Sequence, residues 1–144
     1  MIDTANALTA FLDNLPQPSA QPNFFIDLEG NNLSRHGTLS LITILVEPRH
    51  KVHLIDVHTL GTEAFTTPNT NNTTTLQQIL ESETIAKVFF DIRHDSDALF
   101  GLYGIRVSGI EELQLMELAS RSPFENKRYV SSLAKCIQTY SQLN

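Results

Sequence analysis

Between residues 4 and 15 the apolar side chains Ala5, Leu8, Leu12 and Leu15 recur at spacings of three and four, which places them on one face of a helix. Asp3 or Thr4 supplies an N-cap and Pro16 a stop. Three prolines between positions 16 and 22 suit neither helix nor central strand, so this stretch reads as a connector. The run Phe24-Phe25-Ile26 then predicts a buried strand over 23–28, with Asp27 and Glu29 at its end. Turn formers fill residues 30–37. Two runs rich in β-branched residues follow, 38–46 and 51–57, joined by Glu47-Pro48-Arg49-His50 in the manner of a hairpin. These connections are too short to hold a crossover helix, so the first three strands are expected to form an antiparallel meander.

Gly61 opens a long polar connection, and its TTPNTNNTTT stretch, residues 66–75, has no apolar side chain to anchor a packed element. A mobile surface loop without function is expected there. Residues 76–81 read as a short helix, 85–90 as a strand ending on Asp91, and 95–103 as a helix alternating acidic and apolar positions. Gly104 and Gly109 punctuate a short extended segment, and 111–121 and 130–140 read as helices split by Ser122-Pro123. Antiparallel strands first and βα alternation afterwards predict an α/β domain: a mixed sheet with helices on its faces, rather than a sandwich or a bundle.

Composition narrows the setting. A chain of 144 residues is long enough for one domain with a real core and short for two, so residues 1–144 read as a single domain. Cys136 is alone, which excludes an internal disulfide and a cysteine zinc site and points to a reducing compartment. No stretch approaches the roughly 20 apolar residues of a membrane span, and no basic flank precedes an apolar N-terminal segment, so an intracellular protein of cytoplasm or nucleus is expected. The formal net charge of −6 argues against a broadly basic surface that coats nucleic acid. The charge is uneven, however. Arg121, Lys127, Arg128 and Lys135 face only Glu125 beyond residue 120, leaving either a phosphate-contacting stretch or a solvated helix face.

The acid is where the chemistry lies. Asp27 and Glu29, two apart on a strand, point to one face and repel each other unless a cation lies between them. Hard divalent ions prefer oxygen ligands, and ion pairs about 3.5 to 4 Å apart serve in-line phosphoryl displacement. Taken alone, such a pair is more often only a solvated turn. A second acidic cluster, Asp91-Ile92-Arg93-His94-Asp95-Ser96-Asp97, follows another apolar strand. A helix seated by Leu99 and Leu102 puts Asp95 on its inner face and Asp97 away from it, with Asp91 placed to cap. Arg93 and His94 have no role beyond a substrate or phosphate contact.

The segments FFIDLEGNNLSRHGTLSLITI, VHLIDVHTLG, KVFFDIRHDSDALFGLYGI and LQLMELASR together resemble the RNase D-like 3′-5′ exonuclease domain of the DEDD superfamily, especially its fungal exonuclease-domain proteins. The resemblance runs from the first helix to LAKCI. It implies an RNase H-like fold, two Mg²⁺ or Mn²⁺ ions, and hydrolysis of phosphodiester bonds at the 3′ end of RNA or single-stranded DNA. The family's D-x-E maps onto Asp27 and Glu29, and its second-motif Asp onto Asp95, with Leu99, Tyr103, Gly104 and Ile105 in register. The residues after D-x-E, which contact the terminal nucleotide in the family, are Gly30, Asn31, Asn32 and Leu33 here. The family often has Asp where Glu112 stands. Its third motif, a Tyr or His four residues before an Asp, has no match after LAKCI, since Tyr140 is followed by Asn144. The domain is therefore expected to be C-terminally incomplete. A nucleic-acid-binding adaptor on the same fold, impaired in cleavage, is the alternative reading.

Overall fold

The computed structural model describes residues 1–16 and 24–141, so the connector expected after Pro16 and the Asn144 position lie outside the described residues. Helix α1 (Ala5–Asp13) begins where the Thr4 hydroxyl accepts a hydrogen bond from the Ala7 N–H at 3.3 Å, and it buries Leu8, Phe11 and Leu12. Strands β1 (Phe24–Glu29), β2 (Leu41–Val46) and β3 (Lys51–Asp56) form the expected antiparallel meander. Strand β4 (Lys87–Phe89) joins β1 in parallel, and β5 (Ile110–Glu112) joins β4 in parallel. The order β3-β2-β1-β4-β5 is thus a mixed five-stranded sheet.

Side-chain alternation sorts the two faces. Phe24, Ile26 and Leu28 of β1 pack with Ile42 and Ile44 of β2 and Ile55 of β3 beneath α1, while Phe25, Asp27 and Glu29 point to the other face. The Phe24-Phe25-Ile26 run is therefore not buried throughout: Phe25 is 36% exposed, because a strand cannot turn neighbouring side chains to one face. Helix α5 (Arg93–Tyr103) follows β4, seats Ala98 and Leu99 in the core, and ends at Gly104 with φ 71°. The Ile105 N–H then returns to the Leu99 carbonyl at 3.1 Å, closing the helix end.

Three expectations need correction. The connection after β3 is not merely polar, since α2 (Val57–Leu60) and α3 (Glu63–Thr66) fold there and bury Val57, Leu60, Ala64 and Phe65. Residues 66–75 form a hydrogen-bonded turn in place of the free loop. The Asn69 side-chain oxygen accepts from the N–H groups of Thr73 and Thr74 at 2.9 and 3.2 Å, and Asp13 accepts from Thr70 N–H and Oγ1 at 3.0 and 2.6 Å. Polar side chains supply the anchor that apolar ones would otherwise give. Thr75 and Gln78 close a capping box at α4 (Leu76–Glu81). Lastly, Glu111 and Glu112 belong to a strand: with Gly109 at φ 61°, the chain enters β5 in register with Val88 and Phe89. Glu112 then caps α6 (Leu113–Ser120), and α7 (Leu133–Tyr140) follows.

Lys87 is fully buried, and its ammonium donates to the carbonyls of Ile79, Ser82 and Ile85 at 2.9, 2.7 and 2.6 Å. It thereby ties the C-terminal end of α4 to the start of β4. Between α6 and α7 lies an open apolar groove of about 530 Å³, lined by Leu113, Met116, Leu133, Ile137 and Tyr140 among others. No helix of the described residues is long and apolar enough to cross a membrane.

Candidate functional site

At the end of β1 the register sets Asp27 opposite Thr43 and Glu29 opposite Leu41, with both carboxylates on the face away from α1. The chain then folds tightly through the turn at 30–37. A Cβ on Gly30 would overlap the Thr38 carbonyl oxygen, and one on Gly37 would overlap that of Asn32, so both positions require glycine for close backbone approach. Asn32 adopts φ 51°, and Thr38 N–H donates to the Asn31 carbonyl at 3.0 Å. Asn31 and Asn32 are exposed, whereas Leu33 packs partly against the core.

Asp95 sits in the first turn of α5 and is only 6% exposed. Burial, together with the charges of Asp27, Asp91 and Glu29, pushes its carboxyl up to about 7. The charges of Asp27, Asp91 and Glu29 all bear on Asp95, so β1, the β4–α5 turn and α5 bring the four carboxylates to one region of the domain. Asp91 does not cap α5: Ile92 occupies the cap position, and Asp91 takes φ 61° with its carboxylate gripped by the Arg93 guanidinium at 2.5 and 2.8 Å. That pairing holds Asp91 below the usual carboxylate range. The Asp91 N–H donates to Glu112 Oε1 at 2.5 Å, while Glu112 Oε2 accepts from Leu115 N–H at 2.7 Å. Glu112 therefore binds the β4–α5 turn to the start of α6.

Asp97 faces away from Asp95, as expected, but it is not idle. Its carboxylate accepts from the Arg35 backbone N–H at 2.9 Å and Nε at 2.7 Å, which holds it below the usual carboxylate range. Beside it, Gly101 gives way to Arg35: a Cβ there would overlap Arg35 Cβ. Nothing in the sequence pattern joins residues 62 positions apart, so the reading of the residues missed Arg35. The C-terminal cations are partly spent inside the fold, since Arg121 pairs with Glu117 at 2.6 Å and donates to the carbonyls of Asn126 and Tyr129 at 2.5 and 2.8 Å.

The donor set of Asp27, Glu29 and Asp95 suits a hard divalent cation: its atoms are all carboxylate oxygens, and their mutual repulsion is what a cation would relieve. Among the described residues, no group of three or more His, Cys, Asp or Glu side chains is placed so as to hold a metal ion.

The family model of a 3′-5′ exonuclease domain matches residues 1–144. The chain belongs to the 3′-5′ exonuclease family. The human piRNA biogenesis protein EXD1 is 34% identical to this exonuclease-family chain over 114 residues, covering 79% of it and 20% of EXD1. The mouse EXD1 is 38% identical over 90 residues, covering 62% of this chain and 14% of that protein. The chain thus spans a fifth or less of these two relatives. Trypanosoma brucei RNase D, solved as a GMP complex, superposes with a TM-score of 0.78 at 23% identity, covering 99% of this chain and 41% of that one. The fold is RNase H-like, as in RNase D.

Proposed function

We propose that this 3′-5′ exonuclease-family chain hydrolyses the terminal phosphodiester bond at the 3′ end of single-stranded RNA or DNA, using divalent Mg²⁺ or Mn²⁺ held by Asp27, Glu29 and Asp95. The observation that carries the reading is Asp95, a buried carboxyl brought by α5 against the like charges of Asp27 and Glu29 and pushed up to about 7. Retaining a buried carboxylate beside two others is costly for folding alone, and perturbed groups of this kind mark functional sites. RNA is the first substrate to test, because Trypanosoma brucei RNase D has been solved in complex with RNA U12. The EXD2 exonuclease domain, of the same fold, has been soaked in Mg and GMP.

When bound, the divalent ions would supply Lewis-acid activation of water and stabilisation of the leaving oxygen. The chain's own residues do the rest. Strand β1 fixes the spacing of Asp27 and Glu29, and α5 holds Asp95 toward them. The turn carrying Gly30, Asn31, Asn32 and Leu33 follows Glu29 directly, and its exposed amides Asn31 and Asn32 would contact the terminal nucleotide. The test is degradation of 5′-labelled RNA and DNA strands in Mn²⁺ and Mg²⁺, with EDTA and Asp27→Ala as controls. A metal-dependent ladder shortening from the 3′ end, lost in the variant, supports the proposal. Strands that are bound and left intact would make the chain a non-cleaving nucleic-acid-binding module.

A further inference from the structure

Arg35 joins the turn at 30–37 to the helix carrying Asp95. Its guanidinium and backbone N–H both engage the Asp97 carboxylate, giving two contacts of 2.7 and 2.9 Å and an ion pair at 2.5 Å. Its Cα and Cβ lie in the notch left by Gly101, one helical turn further along α5. Asp97 is two residues beyond Asp95, so the helix cannot shift at one without the other.

Three facts make this more than surface decoration. The clamp spans 62 residues of sequence and holds a loop whose own internal bonds, such as Ser34 Oγ to the Asn32 carbonyl at 2.9 Å, fix its shape and not its place on the domain. Leu33 and Arg35 grip the domain from opposite sides of Ser34, one through the core and one through α5. The exposed amides Asn31 and Asn32 are thereby set at a fixed distance from Asp95. A reacting group misplaced by about 1 Å loses about a hundredfold in rate, which is the tolerance such a clamp would guard.

We propose that Arg35 is a positioning residue: through Asp97 and Gly101 it holds the nucleotide-facing turn in register with the carboxylates, so that the 3′-terminal nucleotide of a single strand is presented to Asp27, Glu29 and Asp95. This rests on the exonuclease reading above. An Arg with a forked guanidinium is suited to the task, since one side chain fixes both distance and orientation.

The experiment compares wild type, Arg35→Gln, Arg35→Asp, Asp97→Arg and the Arg35→Asp/Asp97→Arg double variant. The probe is a 5′-labelled 12-nucleotide single-stranded RNA in Mn²⁺, measured for binding by anisotropy and for shortening by gel. Thermal melting in EDTA checks the fold, and the Mn²⁺-induced rise in Tm reads the metal site separately. Arg35→Gln is expected to lower kcat/KM at least tenfold, mainly through KM, with the Mn²⁺-induced rise unchanged. The double variant is expected to recover kcat/KM relative to either charge-reversed single variant at equal Tm in EDTA; a recovery of activity that only follows a recovery of Tm marks a purely structural pair and overturns the positioning role. Arg35→Gln equal to wild type in KM and kcat, or a double variant no better than the singles, overturns the positioning role alone. A folded wild-type chain that neither binds nor shortens the strand overturns the exonuclease reading and this inference with it.

Discussion

Replacing Asp95 with Asn isolates the energetic signature of the site. The folded carboxyl holds its proton to about 7, against 3.8 for the ordinary group. In the unfolded chain the same group ionises near its ordinary value, so between about pH 4 and pH 7 the folded state binds more protons and stability falls as pH rises. Three pH units at about 1.4 kcal/mol each give about 4 kcal/mol as the ceiling on this loss. The effective dielectric of the protein reduces it, and about 2 kcal/mol is the working magnitude. Asn carries no charge and escapes the loss. For a chain of this size, about 2 kcal/mol corresponds to a Tm about 6 °C higher for Asp95→Asn above pH 7. The assay is scanning calorimetry in EDTA from pH 4.5 to 8.5. The gap between variant and wild type is expected to open between about pH 4 and pH 7 and to stay flat above. Any fixed cost of the buried amide shifts all points equally and leaves the slope intact. Mn²⁺ should then raise the Tm of the wild type and leave the variant nearly unmoved, since a ligand of the native state stabilises it. A gap indifferent to pH would refute the reasoning that burial, with the charges of Asp27, Asp91 and Glu29, keeps Asp95 protonated.

Three further outcomes follow from the fold. Lys87→Met leaves the carbonyls of Ile79, Ser82 and Ile85 without their buried donor, and urea unfolding should show a loss of about 3 kcal/mol at unchanged m-value. Gly30→Ala forces a methyl group onto the Thr38 carbonyl, and the same measurement should read a loss of at least about 2 kcal/mol, with the proposed exonuclease activity falling further than stability explains. Arg121→Ala removes the ties to Glu117, Asn126, Tyr129 and Ser131, and limited proteolysis should cut within residues 122–132 much sooner than in wild type.

The sequence was most legible where one periodicity governed. The α1 stripe of Leu8 and Leu12, the alternation that put Asp27 and Glu29 on one face, and the seating of Asp95 and Leu99 on the inner side of α5 all follow from spacing. Legibility failed where tertiary partners decided. Glu111 and Glu112 fit a helix start until β4 offers its edge, and Phe65 is only an isolated aromatic until α4 and Tyr103 pack near it. The 66–75 turn has no apolar code because its bonds are made by Asn69 and Asp13. Arg35 and Lys87 escaped notice for the same reason: their partners lie in other elements, and a lone cation in sequence does not name its acceptor.

The central claim is that Asp27, Glu29 and Asp95 form one divalent-cation site. A crystal of this chain soaked in Mn²⁺, with anomalous scattering recorded at the manganese edge, addresses it directly. The expected result is anomalous density within coordination distance of Asp27, Glu29 and Asp95 oxygens. Ordered carboxylates with no manganese between them, or manganese bound only elsewhere, would contradict the claim.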